Sequence, residues 1–374
     1  MQNGVIVVSE EGKIISLFSA DQAAKLKIGN IEFYEGTLVP GLVNTHCHLE
    51  LSHLLGKIAQ HTGLPGFVQQ VMQQRDVSTG EIETAMQMAD AEMYANGIVA
   101  VGDISNQVIS KSVKLQSKAY YHTFVEAMGF NPDRAAEIIK KSIKVKNSFA
   151  PLKATIVPHA PYSVSVALFK EINETSGTEH DIISIHNQET ADENNFFEFK
   201  TGHFLKLYEF LGLDISFFQA GGKSSLQTYL PYLSVFPKTL LVHNTFTNQD
   251  DLEFAISKHA NLYWCLCPNA NLYIENRLPD ILMMQQAGLK ITLGTDSLAS
   301  NHQLSILDEM RVLQTHFSIS FNELLRWATL NGAEFLGVDS QFGSFESGKQ
   351  PGINLIENLN GDRITQHTRI RRLI

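Results

Sequence analysis

Residues 40–52, PGLVNTHCHLELS, carry an apolar strand-like run that ends on His46 and His48. Side chains alternate along an extended chain, so His-x-His sets two imidazoles side by side on one face, as a divalent metal requires. Alone the pair is a weak motif. Its weight comes from later apolar runs that also stop on polar residues: GIVAVGD at Asp103, TIVPH at His159, IISIH at His186, TLLVH at His243, LYWCLCPN at Asn269 and ITLGTD at Asp296. Glu189 follows His186 by three residues, and Glu50 follows His48 by two. Such a set could bind a metal, activate water and move protons, provided that the fold brings it together.

Short, continuously apolar runs suit strands buried on both faces, the mark of a parallel sheet. Between them lie amphipathic segments with helical patterning at 81–96, 135–146, 166–175, 249–259 and 303–317. The 250 residues from His46 to Asp296, shared among seven intervals, give about 36 per unit, enough for a strand, a helix and two loops. Eight units predict an α/β fold of the (β/α)8 TIM-barrel type, with its chemistry at the C-terminal strand ends. A doubly wound open sheet would carry a glycine-rich phosphate loop after its first strand, and none is present. The flanks differ. GVIVVSEEGKIISLF and NIEFYEGTLV near the start, and INLIENL and ITQHTRIRRLI near the end, read as short strands. The expected organisation is a barrel over 40–344 and a composite β-sandwich from 1–39 and 345–374.

A formal net charge of −10 argues against nucleic acid or an anionic membrane as partner, and leaves small neutral or cationic molecules open. The hydrophobic share of 44% fits a globular chain. Three cysteines, Cys47, Cys265 and Cys267, are too few to staple 374 residues and suit a reducing cytoplasm. The C-x-C pair reads as strand packing. MQNGVIVVSEEGK lacks a basic segment followed by an apolar one, so no export signal is expected, and no apolar run reaches the ~18 residues of a membrane span.

PGLVNTHCHLE, IHNQE, LVHN, CPNANL, LGTDS and the tail ATLNGAEFLGVDSQFGSFESGK occur in this order from about residue 38 to about residue 350. Together they resemble the amidohydrolase superfamily, in the branch of adenosine-type, guanine and cytosine deaminases and triazine chlorohydrolases. Within that branch the HLELS and HNQET strings are most similar to the aminodeoxyfutalosine deaminases. The resemblance implies one divalent metal, zinc or iron, held by His46, His48, His186 and Asp296. Binuclear relatives carry a carboxylated lysine at the end of strand four. Here that strand ends in VPHAPYS, so a single metal is expected, and His159 takes the place of the substrate-facing histidine. Glu189 matches the HxxE proton shuttle. His243 would orient the water, and Asp296 would also hydrogen-bond it. Glu50 would bind substrate or brace a ligand.

The activity implied is hydrolytic deamination of an aminated purine nucleoside or related heterocycle, with 6-amino-6-deoxyfutalosine as one candidate. S-adenosylhomocysteine, methylthioadenosine, adenosine and guanine are others, as are triazine or cyclic amide hydrolysis. Aminodeoxyfutalosine bears a carboxylate that wants a cationic partner, and the sequence designates none. The expected partner is a small heterocycle, with a homodimer as the possible assembly. Cytidine-type zinc deaminases also use H-x-E, which His48-Leu49-Glu50 supplies, but they need P-C-x-x-C and this chain has only C-x-C before proline. A metal-binding barrel without catalysis would lack Glu189 or His243. Asp103, Asn106 and Glu126 are read as pocket lining or helix caps, and Tyr162, Ser163, Ser300 and Asn301 as loop or cap residues. Ala270 replaces the serine of the CPxSN pattern around Asn269 and Asn271. Two departures are expected to alter the sandwich: the chain starts at what is usually its second strand, and GKQPG stands where relatives have GKxAD.

Overall fold

The computed structural model describes residues 3–26, 28 and 30–374. Its strands in chain order are β1 (Val5–Val8), β2 (Ile14–Phe18), β3 (Thr37–Pro40), β4 (Leu42–Cys47), β5 (Ile98–Ser105), β6 (Tyr120–Ala127), β7 (Lys153–Pro158), β8 (Ile182–Asn187), β9 (Lys238–His243), β10 (Leu262–Leu266), β11 (Ile291–Leu293), β12 (Ile353–Glu357) and β13 (Arg369–Arg372). Strands β4 to β11 form two parallel ladders, β4-β5-β6-β7 and β8-β9-β10-β11, with helices between successive strands. This is the (β/α)8 arrangement, and every strand from β4 to β11 is buried almost throughout.

The two ladders meet at two seams, and both seams fall on chemistry-bearing residues. At one, Cys47 and Asp296 form a parallel bridge, and the amides of Thr295 and Asp296 both donate to the His46 carbonyl, at 3.0 and 3.1 Å. At the other, the His186 amide donates to the His159 carbonyl at 3.0 Å. The close approach at the first seam needs a glycine. A Cβ on Gly294 would lie 2.8 Å from the Cβ of His46 and 2.8 Å from Cys265 Sγ.

Apolar residues fill two layers. Val43, Phe124, Val157, Leu240, Val242 and Cys265 belong to an inner cluster closed by Phe335 and Leu336. A larger cluster joins strands to helices through Leu42, Val101, Val125, Trp264 and Leu307. Between Asn44 and Cys47 the register of β4 slips against β5, three steps against two. Such a bulge re-aims side chains, and here Cys47 packs in the outer cluster while His46 meets other histidines across the barrel.

Most helices agree with the sequence patterning: Thr79–Ala95, Ala135–Ser148, Val166–Ser176, Gln249–Lys258 and Ile306–His316. Several boundaries differ. The alternation of NIEFYEG forms no strand. Residues 31–36 are exposed and find no sheet edge, and only Thr37–Pro40 pairs, antiparallel to β12. Asn269 does not end a strand, because β10 stops at Leu266 and Pro268 opens the helix Pro268–Glu275, where its missing N–H is no loss. Outside the barrel, β12 pairs antiparallel with both β3 and β13, and β1 with β2. Ile14 of β2 bonds to the C-terminal segment through Lys349 O and Gly348 N, each at 2.8 Å.

Candidate metal centre and active site

Four ring nitrogens and one carboxylate converge at the C-terminal ends of the strands. The Nε2 atoms of His46 and His48 lie 3.1 Å apart, and those of His48 and His186 lie 3.3 Å apart. Asp296 Oδ1 is 3.5 Å from His46 Nε2 and 3.3 Å from His48 Nε2. His243 also belongs to the cluster: with His46, His186 and Asp296 it offers donor atoms all within 4.8 Å of one another. Thus all four residues expected as ligands are adjacent, and His243 stands beside them as a fifth donor.

The strand ends turn sharply to achieve this. His243 has φ 75°, Asn244 59°, Asp296 56° and Gln188 45°. Residues with a Cβ rarely adopt this left-handed region, and such strain persists only where surrounding bonds over-determine it. Here Asn244 Nδ2 donates to Leu241 O and Cys265 O, and Asn301 Nδ2 donates to Thr295 O.

Hydrogen bonds also set the tautomers. His186 Nδ1 donates to His159 O at 2.8 Å, and His243 Nδ1 donates to Asn271 Oδ1 at 2.8 Å. In both rings Nε2 is therefore the lone pair, and that of His243 is buried with no hydrogen-bond partner among the described residues. Burial holds the His46, His186 and His243 imidazoles below their usual range and brings His48 down to about 4. A buried lone pair left unshared among converging donors, as at His243 Nε2, fits a cation or its water there. Burial works to raise the Asp296 carboxyl, but the His46 hydrogen bond and the surrounding imidazoles outweigh it and hold the group ionised. Three nitrogens and one carboxylate fit a divalent metal with a position left for water.

The candidate proton-transfer groups sit around this cluster. Glu189 is buried, with Oε2 3.6 Å from His243 Nε2, and burial, then Asp296, push its carboxyl far up. His159 is edge-on to Tyr162 and is tilted against His186. Its Nδ1 donates to Ser163 Oγ at 2.7 Å, while that hydroxyl donates to Ala160 O. Burial lowers His159 to about 3. Glu50 faces inward, but both its oxygens accept backbone amides, from Asn106 at 3.1 Å and Gln107 at 3.3 Å, which ties the loop after β5 to the segment after His48. Asn106 Nδ2 reaches Glu126, whose Oε1 is 3.5 Å from His186 Nδ1. Burial raises Glu50 to about 7 and Glu126 to about 8.

Several supports lie outside what sequence reasoning assigned. Ser300 lies in the loop after β11, and beyond that reading its hydroxyl donates to Asp296 Oδ2 at 2.5 Å. Asp103 is fully buried and caps the short 3-10 helix Leu49–Leu54 from outside it. Its Oδ1 accepts the amide of Leu49, next to His48, and its Oδ2 is 2.6 Å from Lys114 Nζ. Nothing in KSVKLQ marks Lys114 as buried. Asn271 was visible only as part of CPNAN, and its grip on His243 comes from the helix Pro268–Glu275 that follows β10.

The amidohydrolase family model matches residues 37–370. Adenosine deaminase of Helicobacter pylori is 27% identical over 335 residues, spanning 87% of this chain and 80% of the relative. The 5-methylthioadenosine/S-adenosylhomocysteine deaminase of Bacillus cereus is 26% identical over 370 residues, spanning 93% and 79%. Among solved structures, Helicobacter pylori aminofutalosine deaminase in complex with methylthio-coformycin superposes with a TM-score of 0.80 at 23% identity, covering 100% of this chain and 96% of that one. Guanine deaminase from C. acetobutylicum, with guanine in its active site, gives 0.71 at 18% identity, over 95% and 86%. These structural likenesses are likenesses of fold. With the family match extending from β3 into β13 and taking in every strand of the barrel, the chain belongs to the amidohydrolase family.

Proposed function

We propose that the protein is a metal-dependent hydrolytic deaminase that converts an aminated purine nucleoside or related heterocycle, with water, to the oxo compound and ammonia. The observation that carries this reading is the buried Glu189 carboxyl, 3.6 Å from His243 and beside three convergent histidines and Asp296. His46, His48, His186 and Asp296 would hold one zinc ion. When bound, that ion acidifies a water, from ~15.7 toward ~7. Glu189, protonated more readily than an ordinary carboxyl because it is buried, delivers a proton to the ring nitrogen beside the carbon under attack, then accepts the one shed by the added water oxygen and passes it to the amino group, which leaves as ammonia. His243 Nε2, its other nitrogen fixed by Asn271, accepts a hydrogen bond from that water and orients it. His159, anchored by Ser163, and Glu50 face the substrate side.

The named activities of the two curated relatives favour adenine-bearing nucleosides such as adenosine, 5'-methylthioadenosine and S-adenosylhomocysteine, and 6-amino-6-deoxyfutalosine belongs to the same class. The unpaired Cys47, Cys265 and Cys267 suit a cytoplasmic setting. Pairing of β3 with β12 supports a composite β-unit of 1–39 and 345–374 beside the barrel of 40–344. The test is Glu189→Gln. Zinc content should stay at one per chain while kcat falls about 10²- to 10⁴-fold. Retained turnover contradicts the role given to Glu189.

A further inference from the structure

We infer that Glu193 is the positioning residue that aims the Glu189 carboxyl, an inference that rests on the deaminase reading above. After β8 the chain turns through Gln188 in the left-handed region, φ 45°, and reaches Glu189 before the helix Ala191–Phe199 begins. That turn points two backbone amides inward, where no strand receives them. Glu193, wholly buried in the first turn of the helix, sends its carboxylate back to both. Oε1 accepts the Gln188 amide at 3.0 Å and Oε2 accepts the Glu189 amide at 3.3 Å.

An acid at this helical position ordinarily accepts the amide of the capping residue itself, which here is Thr190. The helix Gln249–Lys258 has that arrangement, with Asp251 Oδ2 accepting the amide of its cap, Asn248. Glu193 instead reaches past Thr190 to the two residues before it, and so holds the peptide that carries Glu189 rather than the helix end. The grip is fixed from two further sides. Ser225 Oγ donates to Glu193 Oε1 at 2.5 Å. The Gln188 side chain is pinned by Asp251 at 2.7 Å, Asn194 at 3.0 Å and Thr247 at 2.7 Å. The plane of the peptide before Glu189 then has no freedom to swing. Displacing a reacting group by ~1 Å costs on the order of 10²-fold in rate, so this brace sets how well the proton arm works without touching substrate.

The experiment uses zinc-loaded full-length protein and 5'-methylthioadenosine as probe. It compares wild type, Glu193→Gln, Glu189→Gln and the double variant for kcat, KM, zinc content and amide exchange. Glu193→Gln should lower kcat about 10- to 100-fold with KM and zinc content unchanged, and should speed exchange at the Gln188 and Glu189 amides. In the Glu189→Gln background the same change should lower kcat by less than about threefold, because nothing remains to be aimed. An equal loss in both backgrounds, or a loss carried by KM or zinc content, overturns the inference. If Glu193→Gln fails to fold, the wild type still decides: the two amides should be protected, and exchange as fast as at the exposed Gly222 and Lys223 overturns it. Absence of ammonia release by wild type from 5'-methylthioadenosine, adenosine and S-adenosylhomocysteine alike contradicts the deaminase reading, whereas unaltered exchange in Glu193→Gln contradicts the brace itself.

Discussion

Each histidine at the centre has a bond that decides which nitrogen faces inward, or a neighbour that holds its backbone. His186 uses the His159 carbonyl, His243 uses Asn271, and His48 precedes the Leu49 amide held by Asp103. The account therefore predicts that His46→Ala and Asp296→Ala each reduce zinc from one per chain to under about a tenth, since each removes one of the four assigned ligands and His243, tied to Asn271, is assigned to the water rather than to the metal. Metal analysis of dialysed protein checks this, and full zinc in either variant contradicts the assignment. That the donor residues end apolar strands was legible in the sequence, whereas which of them face one centre was implied only by the resemblance to the family. Their supports were not legible. Ser300, Asn271 and Glu193 act on Asp296, His243 and Gln188, whose left-handed backbone follows from tertiary contacts, and no local pattern announces which side chain will reach such a turn.

Among the elements, the eight apolar strands and most helices followed from periodicity, because both faces of each strand are buried and the helices carry a patterned face. The bulge in β4 and the early end of β10 did not, since both depend on what the neighbouring strand and the Gly294 close approach allow. The buried pair of Asp103 in β5 and Lys114 in the helix Lys111–Gln116 is a second feature of this kind. Lys114 also donates to Ser105 and Thr123 at 3.0 Å, and its ammonium faces the Phe149 ring. Removing one member of such a pair strands the other charge, so Lys114→Met should destabilise the fold by about 3–5 kcal/mol. The double variant Lys114→Met/Asp103→Asn should recover part of that. Denaturant unfolding measures both, and a loss under about 1 kcal/mol for Lys114→Met contradicts a structural charge pair.

Across the whole molecule, the formal charge of −10 is only partly a surface property, because Glu50, Glu126, Glu189, Glu193, Asp296 and Glu309 are all buried. Glu309 accepts the Asn269 amide and the Asn301 side chain, each at 2.9 Å. Burial pushes its carboxyl from 4.5 up to about 7. The folded chain thus holds that proton more tightly than the unfolded chain does. The resulting stability is complete below about pH 4.5 and is lost as pH rises through about 7. Replacing Glu309 with Gln should flatten the pH dependence of unfolding free energy between pH 5 and 7 by up to about 1.4 kcal/mol per pH unit, whatever it does to the overall level. An unchanged slope contradicts a protonated Glu309. The account's central claim is that this cluster performs hydrolytic deamination of an adenine-bearing nucleoside, and its most direct test is ammonia release by the zinc-reconstituted protein across aminated purines, their nucleosides and triazines. Release from adenine-bearing nucleosides, abolished by chelation and restored by zinc, is the predicted result; release from guanine or triazines alone, or from none of them, would contradict it.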